Sequence, residues 1–437
     1  MPDHFAATNH EIMATIDAAS QSLAAGRGAP LYRLFWRWHF FAALLVIPFA
    51  LWQSVTGSLY LWSYAWVDAR YPELRFAADA ATPRPPSAQL HAALGDRADA
   101  RVAEIRLPES TDRSTVVLLA RNDGLVEPIF VSADARVLGA LDATQWLPGL
   151  TRALHGGWPA GIAGSWLLEL GDCWAIVMIA SGLYLWWPRG IGWRRALWPR
   201  TDRGSRLFWR DLHACVAAWF ALLILTFLMT ALPWTAFWGG HVLGPVQDRF
   251  EQRNPAGFSP GGATAQQVLA AAPALDSAVS GARQRGVVGA LQIRLGAAPG
   301  SPWWMHNVDV APSADRTVIA NAASGVILND VAPQTTPPLA RLIDMGVHLH
   351  QGDFGAINRW GNTAVALALM WMTVTGLVSW WRRRPHGAWG VPARSNAAWP
   401  RGLLVAAIVA CVVLPLLGAS VAALWAFDRT ARVFARG

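Results

Sequence analysis

The chain has 437 residues, of which 54% are hydrophobic and 15% are charged, and its formal net charge is +8. This composition, with a mean hydropathy of +0.27, excludes an ordinary soluble enzyme and indicates a multi-pass membrane protein. The positive charge is concentrated in short loops, with seven arginines against one acid in residues 187–210 and five against none in 382–401. A nucleic acid is therefore not expected as a partner.

Long uncharged intervals predict the membrane-spanning helices. Each exceeds the roughly 20 residues that a helix needs to cross a bilayer. Four intervals contain no charged residue. A fifth span, at 166–187, carries Glu169 and Asp172 in its first turns. The four uncharged intervals lie between residues 37 and 68, 211 and 248, 359 and 382, and 401 and 428.

The distribution of arginine predicts the orientation. Arginine-rich short loops stay in the cytoplasm, which places the N-terminus inside and both long segments and the C-terminus outside. The first thirty residues lack an apolar core followed by a cleavage site, so we expect a cytoplasmic tail and not a signal peptide. The three cysteines, Cys173, Cys215 and Cys411, lie in predicted spans and offer neither a disulfide framework nor a covalent haem motif.

The chain repeats itself with an offset of about 174 to 194 residues. RWHFFAALLVIPFALWQSVTG corresponds to DLHACVAAWFALLILTFLMTA, and ASGLYLWWPR corresponds to VTGLVSWWRR. Each half is predicted to consist of a helix that runs out of the cytoplasm (the outward helix), an external domain, and a helix that returns to the cytoplasm (the inward helix). The last span has no counterpart.

Each external segment shows the pattern of a short helix followed by β-strands. SAQLHAALGD and TAQQVLAAA predict helices that follow Ser or Thr caps. RVAEIRLP, STVVLLA and EPIFVSADARVLG, and then GALQIRLG, MHNVDVAP and RTVIANAASGVIL, predict strands bounded by turn residues. We expect each segment to be one helix on a small antiparallel sheet that serves docking, substrate presentation or dimerisation, so a homodimer is among the partners considered.

These features predict a mainly α membrane protein with five transmembrane helices, a two-fold internal repeat and two small α+β external domains. The predicted segments are a cytoplasmic tail 1–33, a first span 34–64, a first external domain 65–160, a second span 161–188, a cytoplasmic loop 189–206, a third span 207–238, a second external domain 239–345, an outer ligand loop with the fourth span 346–382, a cytoplasmic loop 383–401, a fifth span 402–427 and a periplasmic tail 428–437.

A histidine lies at or just before the start of each of four apolar spans. The four histidines form two pairs, and the members of a pair have similar neighbouring sequences. His39 and His213 start the two outward helices, and His155 and His350 precede the two inward helices. Histidines inside membranes are uncommon and usually functional. A lone histidine at a helix end is more often an interfacial residue than a ligand, but the duplicated placement favours two ligand-bridged centres.

The motifs between about Trp36 and Arg384 resemble a known family. The residues that carry the resemblance are RWHFFAAL, the Leu-His-Gly of LHGG, SGLYLWWPR, DLHACVAAW, LHQGDFG and TGLVSWWRRR. They are similar to PepSY-associated transmembrane proteins, which include iron-regulated membrane proteins and bacterial inner-membrane siderophore reductases. The resemblance implies PepSY-like external domains. The turn before the last strand of such domains usually carries Gly, which is present as Gly325 and replaced by Ala135.

The resemblance also implies two haem groups that deliver electrons to ferric siderophores in the periplasm. Haem b needs one or two neutral imidazoles, and two facing helices can supply a pair. We therefore expect two haems b per chain, one between His39 and His213 on the cytoplasmic side and one between His155 and His350 near the periplasmic face. Two such haems would bridge a hydrocarbon layer of about 30 Å. His348 is a second or alternative ligand.

Other residues receive supporting assignments. Arg37, Arg210 and Arg152 are expected to pair with haem propionates, and Gly156, Gly157 and Gly352 to let the backbone approach a flat macrocycle. Glu169 and Asp172 are expected to cap or hydrate the outer end of the second span, with a proton-coupled role as the alternative. Four histidines lack a repeat partner and are assigned as surface or structural residues: His91, His241, His306 and His386.

The main functional hypothesis is an inner-membrane di-haem reductase of periplasmic ferric siderophores. The sequence contains neither a dinucleotide fingerprint nor a Walker loop, so the donor is a quinol, a reduced flavin or a separate reductase. One alternative is a siderophore or iron permease, although Pro48 and Pro233 break the spans without a charged midplane site. The other is a non-catalytic PepSY sensor or peptidase-regulating anchor, which leaves the paired histidines unexplained.

Overall fold

The computed structural model describes residues 3–77, 82–95, 97–189, 192–202, 204–257, 262–296, 300–308, 310–393, 395 and 398–434, with side chains from residue 30 onward. Most of the predicted N-terminal tail and residues 435–437 of the predicted C-terminal tail thus lie outside what can be described in side-chain detail. The chain forms two compact units. The helical unit comprises Met1–Leu51, Leu170–Leu225 and Ala368–Gly437, and the sheet unit comprises Trp52–Glu169 and Thr226–Leu367.

Helices dominate the described chain, and four of them are long and apolar enough to cross a membrane. These are α1 from Pro30 onward, α5, α7 with the turn that follows it, and α12, which agree with four of the five predicted spans. The helices are α1 (Asp3–Arg70), α2 (Pro72–Arg75), α3 (Pro86–Leu94), α4 (Leu147–His155), α5 (Gly161–Trp186), α6 (Trp193–Ala196), α7 (Ser205–Ala231), α8 (Gly244–Arg249), α9 (Ala265–Ala270), α10 (Ala272–Gln284), α11 (Pro338–Gln351), α12 (Ala356–Arg383), α13 (Arg401–Val413) and α14 (Pro415–Phe434).

The fifth predicted span is interrupted. Helices α13 and α14 meet at an angle of 116°, and Pro415 at the start of α14 explains the break because proline has no backbone N–H to continue α13. The two helices are together a broken span or a re-entrant loop. A single crossing at 402–427 stays a prediction.

The strands of the two segments predicted to be external join one antiparallel sheet in the order β4-β3-β2-β1-β6-β7-β8-β9, with β5 beside β1. Two separate sheets were expected, but β1 pairs with β6, for example Glu104 with Arg294. This pairing removes two exposed edges, which are prone to association with other chains. The strands are β1 (Arg101–Leu107), β2 (Thr115–Ala120), β3 (Val126–Val131), β4 (Val137–Ala140), β5 (Ala263–Thr264), β6 (Ala290–Leu295), β7 (Trp303–Val308), β8 (Thr317–Ala320) and β9 (Ile327–Val331).

Helices α3, α9 and α10 cover one face of this sheet and form its main apolar core, in which Leu275, Ile105 and Ile293 are fully buried. The predicted Thr cap is correct for α9, because Thr264 accepts a hydrogen bond from the backbone of Gln267 in a capping box. The predicted Ser cap of α3 is wrong, because the helix starts at Pro86 and Ser87 lies within its first turn.

The two corresponding hairpin turns differ in backbone strain. Ala135 has φ +66° and Gly325 has φ +70°, so both positions are left-handed. A Cβ at Gly325 would lie 2.3 Å from the carbonyl oxygen of Ala274, which explains the glycine there. The left-handed conformation costs an L-residue roughly 1–2 kcal/mol.

We predict that Ala135→Gly stabilises the β3–β4 hairpin. The relief of strain exceeds the extra flexibility of glycine in the unfolded chain, so the gain is about 0.5–1 kcal/mol. Slower hydrogen exchange across residues 126–140 measures it. Gly325→Ala is the matched opposite change and should speed exchange in β8 and β9; equal effects of both variants would contradict the strain argument.

Candidate functional site

In the helical unit, His39 of α1 and His213 of α7 face each other. Their ring centroids are 6.5 Å apart, with an angle of 75° between the ring planes. Each Nδ1 is tied to a neighbouring helix in the same way. His39 Nδ1 lies 3.0 Å from the carbonyl oxygen of Met178, and His213 Nδ1 lies 3.0 Å from that of Met372.

A glycine beside each of these carbonyl groups leaves room for the histidine ring. In a helix the carbonyl oxygen of residue i points toward residue i+4, and the residues four positions after Met178 and Met372 are Gly182 and Gly376. A Cβ at Gly182 would lie 3.0 Å from Cε1 of His39, and one at Gly376 would lie 3.3 Å from Cε1 of His213. A larger side chain would therefore displace the imidazole.

In the sheet unit, His155 and His350 form a second pair with a centroid distance of 6.3 Å and an interplanar angle of 62°. His155 is the last residue of α4, and His350 lies in the last turn of α11. The segment around His350, predicted as a loop, is thus helical, and Gly352 with φ +86° ends that helix. Gly57 faces His155, because a Cβ there would lie 3.2 Å from its Cε1.

Threonine hydroxyls bind the Nδ1 atoms of this second pair. Thr56 Oγ1 lies 2.9 Å from Nδ1 of His155, and Thr230 Oγ1 lies 3.2 Å from Nδ1 of His350. Thr56 donates its own proton to the carbonyl of Trp52 at 2.8 Å, and Thr230 donates to that of Phe227 at 2.9 Å.

These contacts define which ring nitrogen carries the proton. A carbonyl can only accept, and a hydroxyl that already donates can accept from the ring. All four histidines therefore have the proton on Nδ1 and a lone pair on Nε2, the form that binds metals. Burial lowers the pKa of His155 to about 4, and burial together with His155 lowers that of His350 to about 4, so both rings stay neutral at pH 7.

The spacing of each pair fits one metal ion between two imidazoles. Such a nitrogen binds a metal at about 2 Å and the ring centre lies about 1 Å further out, so two histidines that share one ion have centres roughly 6 Å apart. The described residues contain no group of three or more His, Cys, Asp or Glu able to hold a metal ion. The pairs therefore suit a metal that brings its other ligands with it, as haem iron does.

A comparison with family models gives a match over residues 36–383 to the PepSY-associated TM region. The chain belongs to this family. The match includes all four paired histidines and both halves of the sheet. A search of curated proteins found no match to the chain.

In this PepSY-associated protein, His350 and not His348 lies opposite His155. Both ring nitrogens of His348 contact carboxylates, Nδ1 with Asp353 at 3.0 Å and Nε2 with Asp315 at 3.4 Å. Burial opposes its charge, but the two aspartates raise the pKa of His348 to about 9. A histidine that donates from both nitrogens has no lone pair for a metal. His306, assigned as surface or structural, joins this cluster 3.2 Å from Asp315.

Two of the three arginines predicted as propionate partners contact other groups, and the assignment of all three stays a prediction. Arg37 donates to the carbonyl of Pro392 at 2.6 Å, and Arg210 pairs with Asp211 at 2.7 Å. Arg152 is exposed on α4, three residues before His155. Sequence reasoning missed Arg383, whose guanidinium lies 4.1 Å from the ring centre of Trp36.

Two of the three glycines predicted to approach a macrocycle, Gly157 and Gly352, lie in turns. A Cβ at Gly157 would lie 2.4 Å from the backbone nitrogen of Ser165, so Gly157 packs against the start of α5, and Gly352 ends α11. The glycines at the histidines are Gly57, Gly182 and Gly376. Two of them, Gly182 and Gly376, lie in the repeated SGL and TGL sequences. That repetition is the sequence signal that could have located them.

Glu169 caps a neighbouring turn. It is fully buried, and its Oε2 accepts hydrogen bonds from the backbone N–H groups of Phe237 and Trp238, both at 3.1 Å. These groups follow Pro233 and begin a helical turn at residues 238–243. The capping assignment thus agrees with the contacts, although the capped turn belongs to the end of the third span and not to the second.

We predict that His348 makes the stability of the sheet unit fall at alkaline pH. Its folded pKa of about 9 exceeds the ordinary value of 6.5, so its stabilisation is complete below 6.5 and is lost as the pH rises through 9. The thermal unfolding temperature should fall over this range in the native protein and change less in His348→Gln. His91→Gln, at an exposed site, is the control; a steep fall that persists in His348→Gln would refute the assignment.

Proposed function

We propose that the protein carries two haems b per chain and passes electrons to a ferric siderophore in the periplasm, which then releases iron as Fe²⁺. It would lie in the bacterial inner membrane with its N-terminus in the cytoplasm. The single observation that carries the proposal is the geometry of the two histidine pairs, 6.5 Å and 6.3 Å between centroids, with every Nδ1 hydrogen-bonded. When bound, haem would supply the one-electron chemistry, and the chain supplies ligands and surroundings.

Equivalent contacts support the proposal that the two halves are copies of one unit. Met178 and Met372 accept from His39 and His213 at the same 3.0 Å, and these methionines are separated by the 194 residues of the sequence offset. Thr56 and Thr230, which contact the other pair, are separated by 174 residues. A duplicated unit explains why two similar centres occur in one chain.

A pocket in the helical unit supports entry of electrons near His39. It has a volume of about 340 Å³ and is lined by Arg33, Trp36, Arg383 and Pro392, among others. Nη2 of Arg383 is buried and has no hydrogen-bond partner among the described residues. A buried guanidinium nitrogen favours an anionic or carbonyl-bearing ligand. The pocket is thus our candidate site for the donor, a quinol, a reduced flavin or an acidic group of a separate reductase.

Reduction would release iron for a simple chemical reason. Hard oxygen ligands hold Fe³⁺ far more tightly than the larger and less charged Fe²⁺. A protein that delivers one electron therefore needs no further chemistry at the chelate.

We predict that the purified protein is red and shows sharp α and β bands after reduction with dithionite, at two haems per chain. His39→Ala and His350→Ala should each remove one haem, because each leaves its pair with one ligand. The haem content per chain measures both losses.

His241→Ala and His386→Ala are matched controls for these histidine changes. Both should retain two haems. A colourless preparation from haem-replete cells would refute the function, and loss of both haems from either single change would refute two independent sites.

We also predict that Thr56→Val raises the midpoint potential of the haem at His155 and leaves the other unchanged. The threonine accepts from Nδ1 of His155, which makes the imidazole a stronger electron donor and favours Fe³⁺. Thr56→Ser should behave like the native protein. Thr363→Val, at a threonine that accepts from Trp62, is the control; equal shifts in both valine variants would contradict the assignment.

A further inference from the structure

The guanidinium group of Arg383, the last residue of α12, is incompletely hydrogen-bonded. Its Nη2 is buried and donates to no group in the part of the chain that the structure describes. Its Cζ lies 4.1 Å from the ring centre of Trp36 on α1, a contact with the face of the ring that leaves the N–H groups unused. A buried donor without an acceptor is unfavourable. The nitrogen therefore indicates an acceptor that comes from outside the chain.

Arg383 also lines the pocket of the helical unit. Arg33 and Trp36 of α1 form one wall of this pocket, and the segment after α12 forms another. That segment is held to α1, because Arg37 donates to the buried carbonyl group of Pro392 at 2.6 Å. The volume of about 340 Å³ is at the lower end of the range of about 300–1,000 Å³ for ligand pockets. The pocket thus suits a small group, such as the polar end of a larger ligand.

Positive charge surrounds this group of side chains. Arg33 lines the pocket, and Arg206, in the first turn of α7, is close enough to Arg383 to interact with it electrostatically. Within the described residues, the side chains of Arg33 and Arg206 make neither an ion pair nor a hydrogen bond. Like charges that share a site favour an anion between them.

The acids nearest in sequence to the start of α7 are engaged by other arginines. Asp211 is bound by Arg200 at 2.6 Å and by Arg210 at 2.7 Å, and Asp202 interacts with Arg200 electrostatically. Residues 382–401, which include the segment that lines the pocket, contain five arginines and no acid. The local sequence therefore supplies no carboxylate for Arg383.

The position of the pocket favours phosphate as the anion. The candidate span of α1 begins at Pro30, and that of α12 ends at Arg383, so the pocket lies at the predicted cytoplasmic ends of both. Lipid phosphates lie at this level, and basic pockets between spans bind anionic headgroups there. Guanidinium groups bind phosphate through parallel hydrogen bonds, which a neutral quinol cannot match in strength.

We propose that Arg33 and Arg383 bind a phosphate group in this pocket and that Arg206 adds to the attraction. The phosphate belongs to reduced flavin mononucleotide, which would make the pocket the site of the electron donor, or to the headgroup of an anionic phospholipid. Both sources present the same chemistry to the arginines. For the flavin, the inference rests on the proposed function; for the lipid, it is independent of that function.

The test measures ligand binding by the full chain in nanodiscs of phosphatidylcholine. Flavin mononucleotide and riboflavin differ only in the phosphate, so the ratio of their dissociation constants, measured by quenching of flavin fluorescence, isolates its contribution. Native mass spectrometry of the protein in mild detergent counts the phosphatidylglycerol molecules that stay bound after purification. Arg383→Gln is compared with the native chain and with Arg195→Gln, which removes an exposed arginine of α6 outside the pocket. Arg33→Gln, at an exposed residue of the pocket, is the second variant if Arg383→Gln does not fold.

Each source of phosphate gives its own result. If it is the flavin, the native chain and Arg195→Gln bind flavin mononucleotide about tenfold more tightly than riboflavin, and the pocket variants lose this preference. If it is the lipid, neither flavin is preferred, and the native chain retains a phosphatidylglycerol molecule that the pocket variants lose.

Pocket variants that match Arg195→Gln in both measurements would overturn the proposal. Neither measurement needs haem. A colourless preparation would therefore refute the proposed function while the phosphate test stays readable, and a protein with two haems but no phosphate-dependent binding would refute this inference alone.

Discussion

The structure of both histidine pairs depends on the hydrogen bonds that Nδ1 of each ring makes. A carbonyl oxygen accepts from His39 and from His213 at 3.0 Å, and a threonine hydroxyl contacts His155 and His350. Because Nδ1 keeps its proton in all four rings, Nε2 keeps its lone pair. This constraint explains the glycines beside the histidines. The carbonyl of Met178 can accept a hydrogen bond from a side chain only because residue 182, four positions later, is a glycine and does not cover it.

The single sheet is the second determinant of the site in the sheet unit. Pairing of β1 with β6 places residues from both external segments on one face, where Glu104 contacts Arg106 and Arg294. Two separate sheets would leave these charges on different edges. Helices α3 and α10 cover the other face and bury its apolar residues. The charged face can therefore pack against the helices that carry the histidines.

The sequence predicts the features that depend on local pattern. Uncharged intervals located three of the four spans, apolar composition located the fourth in spite of Glu169 and Asp172, and histidine spacing located both pairs. These signals need no knowledge of the fold. The arginine assignments stay predictions, and the sequence alone did not show that Arg210 contacts the adjacent Asp211. The choice between His348 and His350 required Asp315, which is 33 residues from His348 and reaches it only through the fold.

Under the proposed function, the two pairs would differ in electron affinity. His39, His213 and His350 each contact a carbonyl and also a hydroxyl, whereas His155 contacts the hydroxyl of Thr56. A stronger acceptor at Nδ1 makes the imidazole a better donor and favours the oxidised metal. If the protein is the reductase proposed above, the weaker acceptor at His155 would favour electron flow from the His39 pair to the His155 pair.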